Sequence, residues 1–264
     1  MSTNDTARDE LLRTWPTWRA QRDAGLKGPY SALSLVALHW LEEGEPSTFD
    51  EVPGTWLATA DHVTVTAKAA DGLTLSGAPV DGETVIPLVN TTSDETLKFG
   101  DVVVEVIDRG GFAFRVRDPK SAALTAFTGV PAYEPQARWI VDAVFEPYET
   151  ARTVEVGSVV EGYTSTGTAA GIVRFEVGGQ EQTLTVFDGG GLYTLFRDAT
   201  SGVTTSASAR FLDIAAPGDG GRVLLDFNRA RNLPCAFNDY STCPVPPYEN
   251  RLAVAVEAGE KIPA

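Results

Sequence analysis

The feature that most constrains the fold is a long series of short strand candidates separated by turn residues. Stretches such as VTVTA (63–67), FAFRVR (112–117) and QTLTVF (182–187) are apolar or alternate between apolar and polar residues. Turn residues interrupt the series at intervals of about 8–12 residues, which is typical of β-sandwiches and β-barrels. The sequence therefore predicts an all-β protein.

Glycine-containing turns predict how neighbouring strands connect. Arg109-Gly110-Gly111 and Gly178-Gly179 each join two strand candidates and predict hairpins. The triple glycine of FDGGGLYTLF predicts a turn and not a phosphate-binding loop, because a strand candidate follows it where such a loop needs a helix. The other strand candidates are LTLS (73–76), TVIPLV (84–89), VVVEVI (102–107), WIVDAVFEPY (139–148), TVEVGSVV (153–160), IVRFEV (172–177), LYTLFRD (192–198), ARFLD (209–213), RVLLDF (222–227) and LAVAVE (252–257).

The N-terminal residues show helical periodicity. Residues 5 to about 24 place Leu11, Leu12, Trp15 and Trp18 on one face, and Pro16 is expected to end or kink this helix. The following stretch SALSLVALHWL is compatible with a strand or a short buried helix. The least regular stretch, 118–137, is the predicted boundary between two packed β units. The predicted domains are a helical segment (1–29), a β-sandwich (30–118) and a β-barrel or sandwich (119–264).

The charge and hydropathy of the chain exclude several classes of partner. The formal net charge of −15 disfavours nucleic acid and anionic membrane surfaces, which bind through Lys and Arg. No run of 18 apolar residues exists, so no membrane span is predicted. The polar N-terminus lacks the apolar core of a secretory signal, and a cytoplasmic location is expected.

The sequence also disfavours the common catalytic and metal-binding arrangements. The only histidines are His39 and His62, and no G-x-S-x-G motif accompanies them, which argues against serine or cysteine hydrolase chemistry. Seven residues separate Cys235 from Cys243, which is not a zinc-ligand spacing. No metal and no cofactor is therefore expected. The two cysteines are expected to lie near each other and to be reduced in the cell.

Residues 33 to 118 resemble a forkhead-associated (FHA) sandwich in the order of WLEEGEPSTF, ADHVTV, GLTLSGAPVDGETV and LKFGDVVVEVI. The resemblance implies a β-sandwich related to domains that bind phosphothreonine. This chain lacks the family's Arg after the first glycine. It has Thr59-Ala60-Asp61-His62 for Ser-x-x-His and Ser76-Gly77 for Asn-Gly. Without the cationic group, phosphopeptide binding is not expected.

The most unusual stretch is DFNRARNLPCAFNDYSTCPVPPYENRL, residues 226–252. It contains both cysteines, four prolines and four asparagines. Together with GLYTLFRDATSG, ARFLD and the ending VEAGEK, it is similar to the signature of the DUF1684 family of bacterial and archaeal proteins of unknown function. Ala209-Arg210-Phe211 replaces the family's usual Gly-Arg-Tyr. The resemblance implies a common site without a known reaction.

Three functions remain open for this stretch. It could wall a pocket for a small polar ligand, it could carry an enzyme's acid–base group (Asp226 or Glu249), or it could be a structural clamp. The expected ligand-binding residues are Arg210, Asn228, Arg229, Asn232, Tyr240, Asn250 and Arg251.

Eight polar residues at and near this stretch are expected to meet in one partly buried cluster: Arg210, Asp226, Asn228, Arg229, Asn232, Glu249, Asn250 and Arg251. Arg229→Ala should therefore destabilise the protein strongly, whereas Arg8→Ala should have little effect.

Overall fold

The structure, a computed structural model, describes residues 3–89 and 96–263. Within these residues the chain forms three antiparallel sheets and an N-terminal helix, as predicted. The chain divides into two compact units. The sandwich unit contains the described parts of Leu26–Phe127 together with Asn238–Ser241. The seven-stranded unit contains the described parts of Met1–Gly25, Thr128–Phe237 and Thr242–Ala264. The predicted domain ranges stay a prediction.

Helix α1, Thr3–Leu26, continues through Pro16, so the proline does not end it. Contacts within the seven-stranded unit hold the helix on both sides of the proline. Trp15 Nε1 donates to the Asn228 carbonyl oxygen at 3.0 Å, and Arg19 Nη1 lies 2.9 Å from the Glu260 carboxylate. Tertiary contacts therefore offset the hydrogen bond that the proline cannot donate. No helix among the described residues is both long and apolar enough to cross a bilayer.

The sandwich unit consists of a six-stranded sheet and a three-stranded sheet that share one apolar core. Trp56 and Phe114, from the two sheets, stack in this core with ring centroids 4.4 Å apart. The predicted hairpin around Gly110 is confirmed. The strands are β1 (Leu35–Trp40), β2 (Thr55–Ala58), β3 (Val63–Ala67), β4 (Leu73–Leu75), β5 (Ala78–Pro79), β6 (Gly82–Ile86), β7 (Leu97–Phe99), β8 (Val102–Asp108) and β9 (Phe112–Arg117), and a short helix α2 (Ala122–Ala126) follows.

The seven-stranded unit is one antiparallel sheet with the strand order β15-β10-β11-β12-β13-β14-β16. The hairpin at Gly178-Gly179 and the triple-glycine turn are both present. The strands are β10 (Ile140–Gly157), β11 (Thr164–Val177), β12 (Gln180–Asp188), β13 (Leu192–Phe196), β14 (Arg210–Asp213), β15 (Arg222–Asp226) and β16 (Arg231–Asn232).

The two edges of this sheet are consecutive in sequence. β15 and β16 lie at opposite ends of the strand order, yet only Phe227–Ala230 connects them. Four residues span at most about 14 Å when extended, so the connection brings the two edges together. Phe227 and Ala230 are fully buried in the apolar core that the inner faces of the strands share. The chain therefore closes this sheet at the residues that the sequence singled out.

Two strand predictions were wrong. The predicted pair 139–148 and 153–160 is one long strand, β10, with an irregular register between Pro147 and Arg152. LAVAVE (252–257) is not a strand. Its residues Leu252 and Val256 are buried, but the Val256 carbonyl oxygen accepts a hydrogen bond from the Arg210 guanidinium instead of a strand partner.

Candidate functional site

We call residues 226–261 the signature segment, and it runs along the closure of the seven-stranded sheet. Asp226 ends β15, and Arg231–Asn232 form β16. The C-terminal end of the signature segment returns to the place where the sheet closes, and there Glu260 N donates to the Ala230 carbonyl oxygen at 2.8 Å. Gly259 has φ +75°, and a Cβ at this position would lie 2.4 Å from the same oxygen. The close approach therefore requires glycine.

Asp226 and Asn228 form a hydrogen-bonded turn that holds the residues before β10. Asp226 Oδ1 accepts from the Asn228 backbone N–H at 3.1 Å and from its side-chain amide at 2.9 Å. The Asn228 amide also accepts from Gln136 N at 2.9 Å and donates to Gln136 O at 3.1 Å. Asn228 thus pairs with Gln136 as a strand neighbour would. Burial raises the pKa of the Asp226 carboxyl above its ordinary value, against the opposing effect of Asn228 and Arg229.

Arg229 connects this turn to helix α1. Its Nε lies 3.1 Å from Asp226 Oδ2, an ion pair without the alignment of a hydrogen bond. Arg229 Nη2 donates to Thr14 Oγ1 at 2.7 Å and to the Leu11 carbonyl oxygen at 3.1 Å. The side chain is about a quarter exposed. Arg229 therefore neutralises a buried carboxylate and holds the helix at the same time.

Glu260 is the centre of a second polar group, and the sequence did not identify it as a site residue. Its carboxylate is 1% exposed and accepts from Arg19 Nη1 (2.9 Å), Arg22 Nε (3.0 Å) and Asn232 N (2.7 Å). Asn232 also donates from its amide to the Lys261 carbonyl oxygen at 2.8 Å. Glu260 lies in the quoted ending VEAGEK, but no local pattern relates it to two arginines more than 200 residues earlier.

Arg210 forms a third, fully buried group. Its guanidinium pairs with Asp198 and donates to the carbonyl oxygens of Val256 and Ala258, and it lies over the Phe196 ring. Burial lowers the pKa of the Arg210 guanidinium, and the Asp198 carboxylate opposes this effect. Arg210 Nε and Asn232 Oδ1 have no hydrogen-bond partner among the described residues, although the two residues are paired across β14 and β16. Neither atom is accessible to a ligand from the surface.

Asn250 occupies the gap where β12 and β13 separate. The two strands pair at Phe187↔Tyr193, and two residues further along each strand the Asn250 side chain bridges Thr185 and Leu195. Asn250 Oδ1 accepts from Thr185 N at 2.6 Å, and Nδ2 donates to Thr185 O at 3.0 Å and Leu195 O at 2.9 Å. The residue is fully buried. A single amide therefore completes the sheet between two strands.

The remaining predicted site residues do not join these groups. Glu249 is exposed and makes no ion pair with any described residue. Arg251 is also exposed, and its guanidinium lies 5.1 Å from the Tyr248 ring. Tyr240 is 39% exposed and belongs to the sandwich unit. The expectation of one cluster was therefore wrong: the buried residues form separate groups, because each neutralises its charge with nearby backbone or with its own ion-pair partner.

The two cysteines lie close together, as predicted, and both are present as thiols. Cys235 N donates to Cys243 Sγ at 3.3 Å, and Cys235 Sγ lies 3.2 Å from Ser208 Oγ. A hydrogen bond from Cys243 is the main reason that the pKa of Cys235 is lowered to about 7; Ser208 acts in the same direction, and burial opposes both. Whether they are reduced in the cell stays a prediction.

An open depression of about 600 Å³ lies beside the start of β10. Arg8, residues 137–142 and residues 176–178 line it, and none of the predicted site residues does. Asp226 pairs with Ile140 across β15 and β10, and Asn228 holds Gln136. The signature segment thus contacts the backbone that forms one wall of this depression and holds that wall in position.

A second open depression, of about 400 Å³, lies in the sandwich unit and includes Thr59, the first residue of the stretch that replaces the FHA family's Ser-x-x-His. Glu43, Thr59 and Asp108 are among the lining residues, and no Lys or Arg lines it. Thr59 Oγ1 lies 3.1 Å from His62 Nδ1, within the sequence that replaces Ser-x-x-His. No group of three or more His, Cys, Asp or Glu side chains in the described ranges could hold a metal ion.

Comparisons with known proteins identify the family of the chain. The family model of DUF1684, described as a protein of unknown function, matches residues 125–261. An uncharacterised protein of Haloarcula marismortui, solved by solution NMR, is 28% identical. That match covers 52% of this chain and 78% of that chain, with a TM-score of 0.44. No curated protein matches.

Proposed function

Since the chain belongs to the DUF1684 family of proteins of unknown function, we propose that its signature segment is a structural clamp and that a small polar ligand binds beside the clamp. The structural clamp is one of the three functions that the sequence left open. The small polar ligand is another, but the proposed binding site lies beside the signature segment and not in a pocket walled by it. The enzymatic alternative has less support, because Glu249 is exposed and makes no ion pair with a described residue, and Asp226 is buried against Asn228 and Arg229.

The observation that carries the clamp proposal is the side chain of Asn250, whose amide bonds to the main chain of both β12 and β13. The Asn228 amide likewise bonds to the main chain, at the N–H and the carbonyl oxygen of Gln136. The N–H donors of both amides are already used by the protein itself, so neither amide can donate to a ligand. Proline-restricted backbone between these contacts lowers the entropy cost of ordering the loop.

Asn250→Ala tests the clamp. The substitution removes the acceptor of the buried Thr185 N–H and a donor to the carbonyl oxygens of Thr185 and Leu195, although Thr194 Oγ1 still donates to the Thr185 oxygen at 2.9 Å. We expect the free energy of unfolding to fall by about 2 kcal/mol. Urea unfolding followed by tryptophan fluorescence measures this loss. The matched control is Glu249→Gln at the adjacent, exposed position, which should change stability by less than about 0.5 kcal/mol. Equal stabilities of the two variants would contradict the clamp.

The depression beside β10 supports the ligand proposal. Arg138 in its wall is exposed, stacks on the Trp139 ring at 5.2 Å, and has no carboxylate partner among the described residues. Arg8 pairs with Asp142 in the same wall. An unpaired guanidinium beside an aromatic ring, in a depression whose backbone is held by Asn228, favours a small ligand with an anionic group.

A thermal-shift screen of small carboxylates, phosphates and zwitterions tests this site. A ligand that binds the native protein should raise its melting temperature. Arg138→Ala should abolish that rise without changing the melting temperature of the free protein. Arg222→Ala removes an exposed arginine of the neighbouring strand β15 and should keep the rise. An equal response from both variants would place the ligand elsewhere.

We expect the protein to work in a reducing compartment, the cytoplasm. A chain with only two cysteines has no disulfide framework of the kind found in small secreted proteins, which supports this location. Quantifying the oxidation state of both cysteines after rapid acid quenching of expressing cells tests it, and a disulfide in most of the molecules would contradict it.

A further inference from the structure

The two cysteines differ in exposure and in surroundings, although they are close together. Cys235 is partly exposed and follows Pro234 in a short 3-10 turn, Pro234–Ala236. Cys243 is 6% exposed and lies with Leu195, Ala209 and Leu233 in a small apolar cluster. Its segment is held by backbone hydrogen bonds, from Val159 N to Cys243 O at 3.0 Å and from Val245 N to Gly157 O at 2.9 Å. Cys235 is therefore the more exposed of the two residues, and Cys243 is the shielded one.

We propose that Cys235 and Cys243 form a reversible redox pair that reacts with low-molecular-weight disulfides, with Cys235 as the attacking thiolate and Cys243 as the resolving thiol. This goes beyond the proposed clamp and ligand site. It rests on the 3.3 Å contact between Cys235 N and Cys243 Sγ, on the 3.2 Å contact between Ser208 Oγ and Cys235 Sγ, and on the difference in exposure.

The physical reason for these roles is the stabilisation of a thiolate at Cys235. The hydrogen bonds from Cys243 and Ser208 lower the pKa of Cys235 to about 7, so a substantial fraction of this residue is thiolate at neutral pH. A thiol whose pKa is near the ambient pH is the best attacking group in disulfide exchange. Cys243 is too buried to meet a small disulfide first, but it lies beside the sulfur that it would attack.

The reaction balances in two steps. The Cys235 thiolate attacks one sulfur of the disulfide R–S–S–R, forms Cys235–S–S–R and releases R–S⁻. Cys243 then loses its proton and attacks the Cys235 sulfur, which forms the Cys235–Cys243 disulfide and releases a second R–S⁻. The protein loses two electrons and two thiol protons, and the small disulfide is reduced to two thiols. An excess of the reduced small thiol reverses both steps.

The test uses the full chain and oxidised glutathione as the probe, with intact-mass and peptide-mass measurement. The wild type should form the intramolecular disulfide and retain no glutathione. Cys243→Ser should accumulate one glutathionyl group on Cys235, because the resolving thiol is gone. Cys235→Ser should react at Cys243 about tenfold more slowly or not at all, because Cys243 is shielded. Reduced glutathione should restore two thiols in the wild type.

Two results would overturn the proposal. One is a stable glutathione adduct on the wild type without an intramolecular disulfide. The other is an equal reaction rate of Cys235→Ser and Cys243→Ser. Circular dichroism of each variant before the reaction shows whether it is folded, and repeating the reaction in urea shows whether unfolding, and not the native geometry, brings the thiols together. Disulfide formation only in urea also counts against the pair.

Discussion

At the scale of single residues, the signature segment stabilises the protein with buried amides and charges that bond to the main chain. Asn250 is the clearest case, since a single side chain supplies bonds to two separating strands. Asp226 is different, because burial raises the pKa of its carboxyl although Arg229 lies 3.1 Å away. Removing the arginine would leave this carboxylate with neutral partners only.

Arg229→Ala should therefore lower the free energy of unfolding by about 3 kcal/mol, since a buried carboxylate loses its cation and helix α1 loses two hydrogen bonds. Thermal unfolding at pH 7 measures the change. Arg8→Ala, the control that the sequence indicated, is unsuitable, because Arg8 donates to the Ile140 carbonyl oxygen at 3.1 Å and pairs with Asp142. Arg13, exposed and paired only with Glu10 among the described residues, is the better control. Identical melting of the two variants would show that the ion pair contributes nothing.

The Cys235 thiol gives a second prediction at this scale. Because its pKa is lowered to about 7, the rate of alkylation by iodoacetamide should rise with pH and reach half of its maximum near pH 7. Cys243→Ala removes the hydrogen bond that lowers this pKa most, so the half-maximal pH should move up towards that of an ordinary thiol. An unchanged half-maximal pH in Cys243→Ala would exclude Cys243 as the cause.

At the scale of secondary-structure elements, helix α1 is held by the end of the signature segment. Arg19 and Arg22 lie one turn apart on the face towards Glu260, and both donate to its carboxylate. Asn232 in β16 donates to the same carboxylate. One buried side chain therefore joins the helix, the closing strand and the C-terminal residues. This arrangement explains why a helix with a central proline remains continuous.

Glu260→Gln tests this connection with little change in volume. The free energy of unfolding should fall by about 3 kcal/mol, because Arg22 loses its carboxylate partner and Arg19 keeps only Asp23. Hydrogen exchange of the α1 amides should also become faster, since the helix opens locally. Glu257→Gln, at an exposed position three residues earlier, is the matched control. If α1 exchanges equally in both variants, the helix is held by other contacts.

At the scale of the whole molecule, each of the two β units has its own apolar core. The depression at the loops of the sandwich unit is lined by the carboxylates of Glu43 and Asp108 and by no cation. A phosphate dianion would meet repulsion there, which agrees with the missing arginine in the sequence.

The full chain should therefore show no phosphate-dependent binding to a phosphothreonine peptide library at micromolar concentrations. Fluorescence anisotropy with matched unphosphorylated peptides measures the difference. Micromolar binding that is lost without the phosphate would contradict this prediction and would make Thr59 and His62 binding residues.

The sequence alone determined the all-β class, most strands and the hairpin turns, because these depend on local periodicity and on glycine at turn positions. It also singled out residues 226–252 through their composition. Partial burial was expected for the polar residues of this stretch, and Asp226, Asn228, Asn232 and Asn250 are buried. The strand predicted at LAVAVE was wrong, since a side-chain pattern does not reveal which carbonyl oxygens a distant arginine will occupy.

Only the tertiary structure decided which charges neutralise one another. Arg19 and Glu260 are 241 residues apart, and Arg210 finds Asp198 and two carbonyl oxygens rather than the acids of the signature segment. Glu249 and Arg251 were also predicted to join the cluster, but in the fold both lie at the surface. The physical reason is that an ion pair requires proximity in space, and proximity between distant residues is set by how the sheet closes, which no local pattern encodes.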